Sequence, residues 1–263
     1  MEIALGDRRR VYAHTGGRAF DPAQPTVVFL HGAGMDHPVW PLQTRWFAHH
    51  GRNVLAFDLP GHGRSGGPGL ATIEAMADTV LAALEAAGAG RAALVGHSMG
   101  ALVALEAASR APERISALAL LGMSPLMPVH PDLLASAARG EHKAVELIVG
   151  WAIGSAAQLG GNEAPGLWLT GSATRLLERA DPAVLAADFA ACDAYKGAEA
   201  AAAQVRCPVL LLLGADDRMT PPAKAVAFAR SLAQGRSTVL RGAGHMMMLE
   251  DPVGTLEALR TIV

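Results

Sequence analysis

The chain has 263 residues, of which 51% are hydrophobic and 17% charged, and its formal net charge is -2. This length and apolar content suit one large α/β domain with a substantial core. The charge balance argues against a nucleic-acid or anionic-membrane surface, since no Lys/Arg cluster is denser than Arg8-Arg9-Arg10. Neither a secretory signal nor an apolar run long enough to span a bilayer is visible, so we expect a cytoplasmic protein, either a monomer or a homodimer.

The first predicted element is a small antiparallel hairpin, with strands at 2–5 and 10–14 joined by a turn at Gly6-Asp7. Continuous apolar runs follow, which are typical of strands buried on both faces of a parallel sheet. These runs occupy residues 26–30, 53–58, 92–96, 115–121, 209–214 and 237–240. Helical patterns lie at residues 40–49, 72–87, 99–110, 222–233 and 252–262. The alternation predicts a mostly parallel, doubly wound α/β sheet with helices on both faces.

One long stretch breaks this alternation. Residues 124–203 contain no convincing strand, only alanine-rich helical segments punctuated by glycines. Such a length is too great for an ordinary loop of a compact domain. We therefore predict a helical cap at 124–203, inserted into a core made of residues 1–123 and 204–263.

The strongest chemical signal is the pentapeptide Gly96-His97-Ser98-Met99-Gly100. An apolar strand precedes it and a good helix pattern follows, which is the setting of a nucleophile elbow. The central residue of such a turn is strained, and its side chain projects from the sheet. The N-terminus of the following helix directs free N–H groups at the same place. Ser98 is therefore the candidate nucleophile, and an ordinary turn serine is the alternative.

A second signal is His31-Gly32-Ala33-Gly34 at the end of the first long strand. Acyl transfer turns a carbonyl oxygen into an anion that needs preformed hydrogen-bond donors. We expect the backbone N–H groups of Ala33 and Met99 to be those donors. A glycine-rich turn needed only for chain reversal is the alternative, and the presence of the elbow argues against it.

A serine hydroxyl needs a base, and the base needs an orienting carboxylate. In this topology both follow the serine along the chain, in loops at the edge of the sheet that carries Ser98. His245 comes after the last predicted strand and a small-residue turn, a context that the other histidines lack. Asp216 and Asp217 follow the preceding strand, and either could orient His245. Thr220, an N-cap residue type ahead of two prolines, is expected to begin the next helix.

Together these blocks resemble the α/β-hydrolase superfamily over nearly the whole chain. In chain order they are His31 to Gly34, Asp58 to Ser65, Gly96 to Gly100, Gly214 to Pro221 and Gly242 to His245. The resemblance implies an eight-stranded sheet with a cap after the sixth strand. It also implies that the acid is the second aspartate, Asp217. No metal and no cofactor are implied.

Two residues of this chain differ from those found at the same positions in particular branches of the superfamily. Haloalkane dehalogenases and epoxide hydrolases place aspartate where Ser98 stands. Carbon–carbon hydrolases of aromatic degradation commonly have tryptophan at the position of Met246. The remaining resemblance is to the carboxylesterase, lactonase and serine-perhydrolase group.

We therefore expect hydrolysis of a carboxylic ester of a small, mostly apolar substrate through an acyl-enzyme. Lactone, thioester or C–C hydrolysis with the same triad is one alternative, and a non-catalytic ligand-binding protein on this fold is another. The candidate pocket residues are His31, Met127, Trp151, Trp168 and Met246. For each of them, simple packing within the fold is the alternative.

Overall fold

A computed structural model describes residues 1–6, 9–161 and 166–263. Its strands are β1 Glu2–Ala4, β2 Arg10–His14, β3 Thr26–Leu30, β4 Asn53–Asp58, β5 Ala92–His97, β6 Ile115–Leu121, β7 Val209–Gly214 and β8 Gly235–Leu240. They form one eight-stranded sheet in the order β1-β2-β4-β3-β5-β6-β7-β8. β2 pairs antiparallel with β1 and with β4, and the other neighbours pair parallel. The predicted mostly parallel sheet is confirmed.

Helices connect the strands and pack on one another beside the sheet. They are α1 Pro41–His49, α2 Ile73–Ala86, α3 Met99–Arg110, α4 Pro131–Ala138, α5 Lys143–Ala152, α6 Ser155–Gln158, α7 Leu169–Glu178, α8 Pro182–Ala194, α9 Ala198–Ala202, α10 Pro222–Ala229, α11 Met247–Glu250 and α12 Pro252–Arg260. Helix α1 packs against α12, and α2 packs against α3. None of the helices in the described part of the chain has the length and apolarity to cross a bilayer.

Most predicted elements agree with the structure to within one or two residues at each end. Helix α10 is an exception, because it ends at Ala229 rather than at residue 233. The chain must turn there to enter β8, and a Cβ on Gly235 would lie only 2.2 Å from the carbonyl oxygen of Ala229. In the N-terminal hairpin, Asp7 of the predicted turn and Arg8 of the basic cluster lie outside the described residues.

The segment between β6 and β7 forms six helices, α4 to α9, within its described residues. Helix α4 packs on α5 and α8, while α8 and α9 also contact α3 beside the sheet. Helix α8 begins where the Asp181 side chain accepts the N–H of Ala183, with Pro182 in its first turn. The division into a core and a cap at 124–203 stays a prediction.

The sheet explains how distant loops come together. Every residue of β3, β4, β5 and β7 is buried, as the continuous apolar runs predict. Because these strands are parallel, the loops that follow β3, β5, β7 and β8 all leave the same edge of the sheet. The candidate site is built from these loops.

Candidate active site

Ser98 occupies the sharp turn between β5 and α3. Its φ is 53° and its ψ is -118°, and it is the one non-glycine residue with positive φ in the described chain. Such a conformation costs about 1–3 kcal/mol and persists only where the surroundings hold it. Here the Ser98 N–H donates to the carbonyl oxygen of Leu121 at 2.8 Å, and the Ser98 carbonyl accepts the N–H of Ala101 at 2.9 Å. The turn is therefore tied to the neighbouring strand and to the first turn of the helix.

Two glycines allow the close packing of this elbow. A Cβ on Gly96 would lie 2.1 Å from the carbonyl oxygen of Gly100. A Cβ on Gly100 would lie 2.5 Å from the carbonyl oxygens of both Leu30 and His31. A side chain at either position would separate the start of α3 from β5 or from the end of β3. The spacing of glycines around Ser98 thus has a steric cause.

His245 and Asp217 form a buried pair. Nδ1 of His245 lies 2.8 Å from Oδ2 of Asp217. Because the carboxylate can only accept, Nδ1 carries the proton and Nε2 is left as an acceptor. Asp216, the other candidate acid, is exposed. In the described residues neither Nε2 of His245 nor Oγ of Ser98 has a hydrogen-bond partner, and both residues line one cavity.

Asp217 is held by the turn that contains it. Its Oδ1 accepts the N–H groups of Met219 at 2.9 Å and Thr220 at 2.8 Å, and its Oδ2 accepts the Thr220 hydroxyl at 2.7 Å. Burial alone would raise the pKa of Asp217, but His245 and the hydrogen bonds from Thr220 outweigh burial and hold it below its ordinary value. Asp217 is therefore a carboxylate at neutral pH, with a fixed orientation toward His245.

The prediction that Thr220 caps the next helix is wrong. Helix α10 begins at Pro222, and its N-cap residue is Pro221, without a side-chain cap. The Thr220 hydroxyl instead donates to Asp217. A threonine before prolines favours the start of a helix, but here the Thr220 hydroxyl is hydrogen-bonded to the Asp217 carboxylate instead of to a backbone N–H of the helix.

The two histidines that flank the site are neutral and structural. Burial, reinforced by nearby His245, lowers the pKa of His97 to about 3. Its Nε2–H donates to the carbonyl oxygen of His245 at 2.9 Å, and the two rings lie 4.7 Å apart. Burial, followed by the effect of His62, lowers the pKa of His31 to about 3. Nε2 of His31 accepts the N–H of Leu59 at 3.1 Å, so this ring fixes the loop after β4.

A cavity of about 510 Å³ opens in front of these groups. Its walls are mostly apolar, and its lining residues are Ala33, Ser98, Met127, Pro128, Val129, His130, Pro131, Leu133, Trp151, Phe189, Cys192, Arg218, Met219, Thr220 and His245. The size is that of ordinary small-molecule sites. Helices and loops between β6 and β7 supply most of the apolar wall.

Two of the five predicted pocket residues, Met127 and Trp151, line this cavity. The other three lie outside its lining, which corrects the prediction for them. His31 is fully buried in the loop contacts described above, and Met246 is 2% exposed within the core. Trp168 is 75% exposed on the outer surface, where its ring covers Gly171. Side-chain type alone did not indicate the direction in which each residue faces.

The two predicted oxyanion donors lie in the loop after β3 and at the start of α3. Ala33 is on the loop after β3 and lines the cavity. Met99 is the first residue of α3, so its N–H has no acceptor within the helix. Both positions fit the requirement for free backbone donors next to Ser98. Among the described residues, no group of three or more His, Cys, Asp or Glu side chains has the arrangement of a metal site.

Asp188, one of the two aspartates in the alanine-rich helix α8, is absent from the site residues that the sequence predicts. Asp188 is fully buried, and its Oδ2 accepts the N–H of Gly34 at 2.8 Å. The same oxygen lies 2.8 Å from Nε2 of His62. Its partners lie far away in the sequence, so no local pattern distinguishes Asp188 from Asp193 of the same helix.

The sequence profile of the alpha/beta hydrolase family matches residues 27–258. The chain belongs to this family. A pimeloyl-[acyl-carrier protein] methyl ester esterase of Aromatoleum aromaticum is 32% identical over 250 residues, which cover 87% of this chain and 94% of that protein.

Other members of the family match over different extents. An esterase of Klebsiella pneumoniae with the same name is 41% identical over 106 residues, and the match spans 40% of this chain and 39% of that relative. The crystal structure of an enol-lactonase from Burkholderia xenovorans superimposes with a TM-score of 0.89 and 22% identity, covering 99% of this chain and 98% of that one. This structural likeness shows the α/β-hydrolase fold.

Proposed function

We propose that this member of the family is a serine hydrolase that cleaves a carboxylic ester of a small, mostly apolar substrate. Ser98 would be the nucleophile, His245 the general base and Asp217 the orienting acid. One observation carries the proposal: the His245–Asp217 pair, joined at 2.8 Å, and the strained Ser98 line the same mostly apolar cavity. This arrangement supplies a nucleophile, a base with a free Nε2, and a carboxylate that keeps the base in the required tautomer.

In the first half-reaction, Oγ of Ser98 attacks the ester carbonyl carbon while Nε2 of His245 takes the hydroxyl proton. The tetrahedral oxyanion is stabilised by the N–H groups of Ala33 and Met99, aided by the N-terminus of α3. Asp217 stabilises the imidazolium that forms. The imidazolium then protonates the departing alcohol, the C–O bond to the alcohol breaks, and an acyl-enzyme remains.

In the second half-reaction, water replaces the alcohol. His245 takes a proton from the water as it attacks the acyl carbon, and the same N–H donors hold the second oxyanion. Collapse of this intermediate breaks the bond to Oγ of Ser98, which recovers its proton from His245. The products are a carboxylic acid and an alcohol, and the enzyme returns to its starting state.

The cavity supports the proposed substrate class. Its volume of about 510 Å³ and its apolar walls favour a small molecule with little charge. The relatives' names also point to ester chemistry, since two of them are methyl ester esterases. The helices within 124–203 would act as the cap that sets specificity. The cytoplasmic location and the monomeric or homodimeric state stay predictions from the sequence.

Labelling with a fluorophosphonate probe, followed by an ester-chain-length profile, tests the proposal. Wild type should be labelled at Ser98 and should hydrolyse p-nitrophenyl esters, while Ser98→Ala should lose both properties and keep its thermal stability. High activity on a lactone, a thioester or a vinylogous diketone without ester hydrolysis would assign a different bond to the same triad. Absence of labelling, with equal ligand binding by wild type and Ser98→Ala, would instead favour a non-catalytic binding protein.

A further inference from the structure

Glu250 is a buried carboxylate at the end of α11. Its Oε2 accepts the backbone N–H groups of Gly154 at 2.8 Å and Gly244 at 3.0 Å. Its Oε1 accepts the N–H of Met246 at 3.0 Å. Gly244 and Met246 are the two chain neighbours of His245. One side chain therefore holds the backbone on both sides of the expected base.

The same junction includes the end of helix α5. The N–H of His245 donates to the carbonyl oxygen of Ala152 at 2.7 Å. A Cβ on Gly154 would lie 2.8 Å from Oε2 of Glu250, and a Cβ on Gly244 would lie 2.5 Å from the nitrogen of Gly154. The end of α5, the loop that carries His245 and the end of α11 therefore pack too closely for a side chain at Gly154 or Gly244. A displacement of the Glu250 carboxylate must move the loop that carries His245.

Charge adds to this positional effect. Burial raises the pKa of Glu250, while three N–H donors and the nearby His245 oppose the rise. Hydrogen bonds from N–H groups to a carboxylate are stronger than those between neutral groups. Asp217, His97 and Glu250 interact electrostatically with His245, and Arg218 and His130 line the cavity that His245 also lines. His97 is neutral, and both oxygens of Glu250 accept N–H groups, as the oxygens of a carboxylate do, so Asp217 and Glu250 are negative charges next to His245.

We propose that Glu250 is a positioning residue for His245. Its carboxylate fixes the backbone on both sides of the base, and its charge supports the imidazolium that forms during turnover. The inference rests on the proposed function, because it takes His245 as the general base. Glu250 lies outside the cavity lining and acts through His245 rather than on the substrate. If Glu250 only stabilised the fold, replacing it would lower the stability and leave kcat and its pH dependence unchanged.

Glu250→Gln is the first test, because it keeps the side-chain size but replaces one oxygen by an NH₂ group that cannot accept an N–H. We expect kcat for an ester to fall by about 10- to 100-fold with KM little changed, since small displacements of a catalytic group have costs of this order. The acidic limb of the pH profile of kcat/KM should also move to lower pH, because a neutral side chain no longer favours the imidazolium.

Asp251→Asn is the matched control. It removes a carboxylate from the adjacent residue, whose Oδ1 accepts the N–H of Gly254 at 2.7 Å and caps helix α12. This variant should keep the wild-type kcat and pH profile, because Asn is also a good N-cap. Gly154→Ala is a second test from the other side of the junction. It should push the Glu250 carboxylate without removing its charge, so kcat should fall while the acidic limb stays in place.

The outcomes separate the two proposals. Wild-type kcat and an unmoved acidic limb in Glu250→Gln, or a loss confined to thermal stability, would overturn the role of Glu250. If Glu250→Gln does not fold, wild-type kcat in folded Gly154→Ala would overturn it instead. Retained turnover in Ser98→Ala would reject the proposed function itself. An inactive Ser98→Ala beside an unaffected Glu250→Gln would reject the inference on Glu250 alone.

Discussion

The hydrogen bonds that Asp188 of helix α8 accepts from Gly34 and His62 allow a quantitative prediction of stability. Oδ2 of Asp188 accepts from Gly34 N–H and from Nε2 of His62, each at 2.8 Å. Nδ1 of His62 lies 3.1 Å from the carbonyl oxygen of Pro60. Because both partners of the ring can only accept, both ring nitrogens carry protons and His62 is an imidazolium. Burial would lower the pKa of His62, but Asp188 offsets burial and holds it above its ordinary value.

Asp188→Asn keeps one acceptor oxygen but removes the charge. It also buries an NH₂ group, and Oδ1 of Asp188 has no hydrogen-bond partner within the described residues. Weakening a buried ion pair in this way should cost about 3 kcal/mol of unfolding free energy. For a chain of this length, that cost lowers Tm by about 6–12 °C. Asp188→Asn should also lower kcat for ester hydrolysis by about tenfold. The reason is that Asp188 holds Gly34, which follows the predicted oxyanion donor Ala33.

The destabilisation should depend on pH. A raised folded pKa of His62 means that the stability from its protonation is complete below the unfolded value of about 6.5, and is lost as pH rises through the folded pKa. The difference in unfolding free energy between wild type and Asp188→Asn should therefore be larger near pH 6 than near pH 9. Urea denaturation followed by tryptophan fluorescence at both pH values measures this difference.

Asp181→Asn is the control for these measurements. It lies on the same helix and removes the same charge, but Asp181 is an exposed N-cap that accepts the N–H of Ala183 at 2.8 Å. Asn caps helices about as well as Asp, so stability should change little at either pH. An Asp188→Asn effect that is equal at both pH values, or larger at the higher one, would refute the ion-pair reasoning.

Three further predictions concern the site. Asp217→Asn should lower kcat for ester hydrolysis by about 10⁴-fold with the fold unchanged, because His245 loses the acceptor that selects its tautomer; near-normal turnover would point to another acid. Gly100→Ala should lower Tm sharply in thermal unfolding, since its Cβ would lie 2.5 Å from two backbone oxygens, and wild-type stability would contradict that geometry. Trp151→Ala should raise KM by about tenfold for long acyl esters and less for acetyl esters; an equal change for both would show that Trp151 does not line the acyl site.

The sheet could be predicted from the sequence because buried parallel strands leave a local signal. The runs at 26–30, 53–58, 115–121 and 209–214 match the structure residue for residue, since both faces of these strands need apolar side chains. Strand β8 begins two residues before its predicted start at 237. It lies at the edge of the sheet, and its exposed residues carry no continuous apolar pattern.

The cavity could be predicted only in part. Met127 and Trp151 line it, whereas Trp168 is on the surface and Met246 is in the core. All four are large apolar side chains near helices, so residue type does not distinguish them. They differ in the direction in which their side chains point. Direction depends on how the helices between β6 and β7 pack, and no local pattern in that segment specifies the packing.

Local residue patterns and one topological rule were enough to predict the elbow and the edge of the sheet at which the site lies. A strand, a turn and a helix around Ser98 form the elbow, and a parallel sheet brings the loops of Asp217 and His245 to the same edge. The polar groups that bond across the fold, in contrast, depend on how distant helices and loops pack together. Asp188 meets His62 from 126 residues away, and Glu250 meets Gly154 from 96 residues away. A buried carboxylate must find donors wherever the packed chain supplies them, and the spacing of residues along the sequence does not record where that is.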